Sequence, residues 1–161
     1  MSKLAERLRR AQRGGAAAIG FGAAAATTKV PPLLLMARLS PDDAQGATSA
    51  IAAGAGALVF AGRLPSAEAR SALAEGADAP WGLVGSEAPP PSTEEIKEAG
   101  ADFIIVSAPD VSAARMTDEG GPGWVLVVSP DWSDSLLRAV DGLPVDALYF
   151  AQGLQAVQLT V

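Results

Sequence analysis

A short glycine junction recurs along the chain, each time shortly before an uncharged apolar run. Copies begin at Gly56, Gly76 and Gly100, and a looser copy begins at Gly142. Glycine favours the left-handed backbone conformation that often ends a helix, so each junction predicts a helix that stops and a strand that follows. The first copies are 20 and 24 residues apart, which suits one strand plus one helix per unit. The repeat therefore predicts a chain of strand-then-helix units.

The apolar runs between the junctions have the length of buried strands. They predict strands at 33–39, 57–61, 81–85, 103–107, 124–129 and 147–150, with one more at 156–161. Helix-start signals follow most of these runs: Ser40 with Pro41, Ser66, Ser92 with Glu95 as a capping box, and Ser133. Continuous apolar strands that alternate with helices indicate an α/β fold with a parallel sheet covered by helices.

The strings AGAGALVFAG and EAGADFIIVSAPD resemble the helix-to-strand junctions of (βα)-barrel, or TIM-barrel-like, enzymes of the phosphate-binding type. The likeness spans residues 33–150 and points to the superfold, with no specific family. It implies a domain that binds a small anionic metabolite, and a lyase or isomerase acting on a phosphorylated small molecule as the class of enzyme. A complete barrel takes about 250 residues, so 161 residues predict a partial barrel or a chain truncated at its C-terminus. A flavodoxin-like open sheet is the alternative fold.

The first residues differ from the rest in charge. Residues 1–15 are expected to form a basic N-terminal helix, with Ser2 as its N-cap, and residues 16–161 a single domain of (βα) repeats. The first 13 residues carry a net charge of +4, whereas the remainder carries −10. The helix either covers one end of the domain with a solvated basic face or docks on an acidic surface.

Composition excludes several functional classes. The chain has no cysteine and no histidine, so disulfides, thiolate chemistry and the commonest general base and metal ligand are absent. No metal site or dinucleotide fingerprint is evident, and the cofactor is unknown. The acidic body argues against nucleic-acid binding, and no segment is apolar enough to span a membrane. We expect a cytoplasmic protein.

Ligands of parallel α/β folds bind beyond the carboxyl ends of the strands. The residues expected there as ligand-binding groups are Arg38, Arg63, Ser107, Asp110, Ser129 and Asp131. Arg38 and Arg63 are the most informative, because two arginines could hold a phosphate or carboxylate together. Ion pairing with Asp42 or Asp43 and ordinary turn chemistry are the structural alternatives. Glu87 and Lys29 are weak catalytic candidates, as a general base and a Schiff-base lysine.

Two functions therefore remain open at the level of sequence. The first is the small anionic-metabolite-binding domain, as an enzyme or a binding protein, and the second is a non-catalytic, self-associating protein derived from a barrel fold. The segment 154–161 is apolar, β-prone and uncharged. Such a strand needs a cover, so we also predict a homo-oligomer, most simply a two-fold dimer.

Overall fold

The fold is described from a computed structural model, and the description covers residues 2–13, 33–76, 78–85, 91–107, 116 and 120–150. The elements, in chain order, are α1 (Lys3–Arg13), β1 (Met36–Leu39), α2 (Ala44–Ala52), β2 (Ala57–Ala61), α3 (Ala67–Gly76), β3 (Trp81–Val84), α4 (Thr93–Glu98), β4 (Phe103–Ser107), β5 (Gly123–Val128), α5 (Asp134–Val140) and β6 (Ala147–Phe150). The strand predicted at 156–161 lies outside the described residues.

The six strands form one sheet in the order β1-β2-β3-β4-β5-β6, and every neighbouring pair is parallel. The sheet is curled into an open half-barrel with helices between the strands. This confirms the predicted parallel neighbours. Sequential strand order distinguishes the fold from the flavodoxin-like alternative, whose order reverses at its second strand.

Two apolar layers cover the sheet. On one face, α2, α3, α4 and α5 pack against alternate strand residues, with Leu58, Phe60 and Leu126 almost fully buried. The ring of Trp81 meets that of Phe60 edge to face, with 5.9 Å between centroids. On the inner face, strand residues such as Val59 and Ile105 form a second cluster around Leu4 of α1. The Leu4 contact places the start of α1 against the inner face of the sheet.

Most predicted helix starts are confirmed, and one is corrected. Ser92 and Glu95 form the capping box of α4, and Ser133 caps α5. The helix predicted to begin at Ser40 begins later, because Asp43 accepts the hydrogen bond from Gly46 N at 2.7 Å and is the cap. Residues 40–43 instead form a turn, in which the Asp43 amide donates to the carbonyl oxygen of Ser40 at 3.1 Å.

The left-handed glycine predicted at each junction is present only in part. Gly100 has φ +81°, as predicted, but α2 is followed by a left-handed residue at Gly54 rather than Gly56. At Gly56 the constraint is space, because a Cβ there would collide with the Leu34 side chain. Gly142 does not have a positive φ either, and the C-cap of α5 is Asp141, in the right-handed conformation.

Candidate functional site

Arg38 lies on the inner face of the half-barrel, on edge strand β1. Its neighbours Ala37 and Leu39 pack into the helix-side core, so alternation turns Arg38 to the other face. It is aligned with Val59 of β2, which belongs to the inner cluster. The Arg38 side chain is exposed, and it has no hydrogen-bond or ion-pair partner among the described residues. It is therefore available to an anion.

Arg63, in contrast, has a partner. Its guanidinium donates to Asp42 Oδ2 across the loops that follow β1 and β2, and both side chains are largely exposed. An exposed ion pair of this kind contributes little to stability. The two arginines are thus placed differently: Arg63 is paired within its loops, while Arg38 is on the inner face.

The remaining expected residues are dispersed. Ser107 is half-buried at the end of β4, aligned with Val127, while Ser129 and Asp131 belong to one turn after β5. In that turn the Asp131 amide donates to Ser129 Oγ at 3.3 Å. Asp110, Glu87 and Lys29 lie outside the described residues. The described candidates therefore place on separate strands a cation without a partner in the described part of the chain, Arg38, and a half-buried hydroxyl, Ser107.

The more elaborate polar constellation lies at the opposite end of the sheet, where α1 meets the amino-terminal ends of the strands. Asp102, directly before β4, accepts hydrogen bonds from the backbone amides of Lys3 and Leu4, each at 2.8 Å. Asp146, directly before β6, accepts a hydrogen bond from Ser2 Oγ at 2.6 Å. Ser2 Oγ in turn accepts from Ala5 N at 3.2 Å, which confirms it as the N-cap. Carboxylates at a helix N-terminus are favoured by its unpaired amides and its dipole.

Two basic side chains of α1 complete this docking. Lys3 forms an ion pair with Asp78, with 2.6 Å between Nζ and Oδ1. The hydrogen bond and charge of Lys3 lower the pKa of Asp78 from its ordinary value, and Asp78 raises the pKa of Lys3 in the same way. Arg7 donates to the carbonyl oxygens of Gly56 and Asp78 at 2.9 and 2.8 Å. The start of α1 therefore forms hydrogen bonds with the junctions before β2, β3, β4 and β6.

These junction aspartates were not among the expected functional residues. Their signal was present in the repeat itself, because Asp78 and Asp102 occupy the same place in two Gly-Ala-Asp copies and Asp146 ends the looser one. Amino-terminal strand ends meet at one end of a parallel sheet, so this repetition could have predicted an acidic ring there. We assign that ring, composed of Asp78, Asp102 and Asp146, to the docking of α1 and call it the junction-aspartate ring.

Comparison of the chain with protein-family models, curated proteins and solved structures found no match. Within the described ranges, no cluster of three or more acidic side chains could hold a metal ion. In the same ranges, no helix has the length and apolar character needed to cross a membrane. The function must therefore be inferred from the geometry alone.

Proposed function

We propose that this chain is a non-catalytic, self-associating α/β domain whose partner is a second copy of itself. The observation that carries the proposal is the apolar surface along both open edges of the sheet. Beside β1, Leu33 and Leu35 are 73% and 61% exposed, and on β6, Tyr149 and Phe150 are 47% and 59% exposed. Parallel sheets are normally covered on both faces, and large apolar side chains grouped at such exposure favour contact with another surface.

A second copy fits these edges because they are complementary. β1 and β6 end the same sheet, and all five pairings between them are parallel. A two-fold axis along the strands would place β6 of each copy beside β1 of the other, in the same parallel sense. Two-fold dimers are the commonest closed assemblies, and this pairing would leave neither edge of the sheet open. Residues 147–150 carry no charge, so the acidic character of the chain would not oppose the contact at β6.

The oligomeric state in solution tests this proposal. Sedimentation at tens of micromolar should give the mass of two chains. The interface of that dimer should bury more than about 1,000 Å² in total. Phe150→Lys should shift the protein to monomer, because an ammonium group at the edge must be desolvated on association. Ala52→Lys, at an exposed position of α2, is the matched control and should leave the dimer intact.

The competing arrangement is cover by the same chain, with residues 14–32 or 151–161 lying over the edges. A stable monomer at these concentrations, with Phe150→Lys no different from the parent, would reject self-association in favour of that arrangement. Loss of the dimer in Ala52→Lys as well as in Phe150→Lys would also reject the edges as the interface.

Arg38 supports a second candidate function, the binding of a small anionic metabolite such as a phosphorylated small molecule. Its guanidinium is exposed on the inner face and has no partner in the described part of the chain. Arginine binds phosphate and carboxylate in a bidentate manner, which makes this position suitable for an anion. Lyase or isomerase chemistry on such a ligand would need a base, and Glu87 remains the candidate for that role.

Thermal stability in phosphate tests the second candidate. Phosphate should raise the melting temperature of the parent protein, because a ligand that binds only the native state stabilises it. Arg38→Ala should lose most of that rise, whereas Arg63→Ala should keep it, since Arg63 is already paired with Asp42. Equal shifts in the parent and in Arg38→Ala would remove Arg38 from any anion site.

A further inference from the structure

A cavity of about 530 Å³ opens at the amino-terminal end of the strands, between α3, the α4–β4 junction and the start of α1. Its size is within the range of small-molecule sites. The apolar part of its wall includes Leu73, Pro80 and Trp81, all of which are largely buried. Gly100 lies on the wall in open space, since a Cβ there would meet no atom within 4 Å. The cavity thus combines an apolar wall with open space beside Gly100.

Some charged side chains around this cavity have partners in the described part of the chain, and one does not. Asp78 is paired with Lys3, and both oxygens of Asp102 accept backbone amides of α1. Arg70, on the exposed side of α3, also lines the cavity. Its guanidinium has no hydrogen-bond or ion-pair partner among the described residues. The unmatched group at the cavity is therefore a cation beside apolar wall residues.

We propose that this cavity binds a small carboxylate with an apolar, flat or branched body. The carboxylate would accept two parallel hydrogen bonds from Arg70, which is the geometry that a guanidinium favours. The apolar body would lie against the wall formed by Leu73, Pro80 and Trp81. The site is separate from both the sheet edges and Arg38, so the test of this proposal is independent of the tests of the proposed function.

Calorimetric titration of the full chain with phenylacetate tests the proposal. Acetate and phenylacetamide are the matched probes, because the first lacks the apolar body and the second lacks the charge. Phenylacetate should bind, and each of the other two should bind at least about tenfold more weakly. In amide NMR spectra, the indole N–H signal of Trp81 should shift with phenylacetate.

Two variants locate the site. Arg70→Gln should weaken phenylacetate binding about ten- to hundredfold, whereas Arg138→Gln, at an exposed arginine of α5, should not change it. Ala74→Leu adds bulk to the wall of the cavity without altering charge and should also reduce binding. The proposal is overturned by no binding at about 10 mM phenylacetate, by unchanged affinity in both Arg70→Gln and Ala74→Leu, or by acetate binding as tightly as phenylacetate.

Discussion

Asp102 is expected to hold α1 in place, and its removal should measurably destabilise the protein. Both of its oxygens accept backbone amides at the start of α1, at 2.8 Å each, across almost 100 residues of sequence. Loss of an N-terminal cap costs about 0.5–2 kcal/mol, and hydrogen bonds to a charged group contribute about 1.5–3 kcal/mol when well buried. Because one of the two bonds is exposed, we expect Asp102→Ala to lower the free energy of unfolding by about 2 kcal/mol.

The loss of stability cannot exceed the free energy with which α1 as a whole docks on the sheet. Leu4 is 1% exposed, and burial of a leucine side chain contributes about 1.5–3 kcal/mol. If α1 detached completely, the loss would include this burial as well as the contacts of Ser2, Lys3 and Arg7. Asp102→Asn keeps one acceptor of the two and should cost about half as much as Asp102→Ala.

Urea denaturation followed by circular dichroism measures the free energy of unfolding, and hydrogen exchange of the α1 amides locates the loss. Asp102→Ala should accelerate exchange in α1 before it affects the central strands, because α1 can open without them. Asp141→Ala removes an exposed aspartate at the end of α5 and should stay within about 0.5 kcal/mol of the parent. If Asp102→Ala and Asp141→Ala gave the same stability and the same α1 exchange, Asp102 would not be what holds α1.

Two further predictions concern β3 and α4. Gly82→Ala should lower the free energy of unfolding by about 1–3 kcal/mol in urea denaturation, because a Cβ there would lie 2.6 Å from ring atoms of Phe103 and even closer to its carbonyl oxygen. Gly142→Ala is the control and should not destabilise the protein, because a Cβ at Gly142 would have only one atom within 4 Å, at 3.8 Å. Hydrogen bonds from the Ser92 backbone and hydroxyl lower the pKa of Glu95, so its contribution to stability is present above the ordinary pKa of glutamate and is lost as the pH falls through the lowered folded value. In Ser92→Ala the backbone hydrogen bond to Glu95 remains and the hydroxyl bond is lost, so NMR titration should find the pKa of Glu95 closer to its ordinary value. An unchanged pKa would show that the Ser92 hydroxyl does not lower it.

The sequence alone predicted the fold class, because the signals for it are local. A run such as residues 103–107 is too apolar to face water on either side, and the glycine before it, Gly100, has the left-handed conformation that follows a helix end. Repetition of that unit leaves few arrangements other than a parallel sheet with helices over it. The capping box at Ser92 was predictable for the same reason, since both of its partners lie within one helical turn.

Where two neighbouring residues could both serve as a helix cap or as the left-handed residue, the sequence did not show which one does. Ser40 and Asp43 can both cap α2, and the geometry of the turn between them selected Asp43. Gly56 was expected to be left-handed, but Gly54 supplies that conformation and Gly56 instead gives room to Leu34. In each case the deciding contact depends on the path of the chain over several residues, which composition does not specify.

What only the tertiary structure decided is which charges meet. The basic character of α1 and the aspartates of the junctions are both visible in the sequence, yet Lys3 and Asp78 are 75 residues apart, and Ser2 and Asp146 are 144 apart. Likewise, two arginines with similar sequence settings separated into Arg63, paired with Asp42, and Arg38, left open on the inner face. Local pattern determines strands and helices because backbone hydrogen bonding and burial act over a few residues, whereas ion pairs and cavities depend on which strand ends the curled sheet brings together.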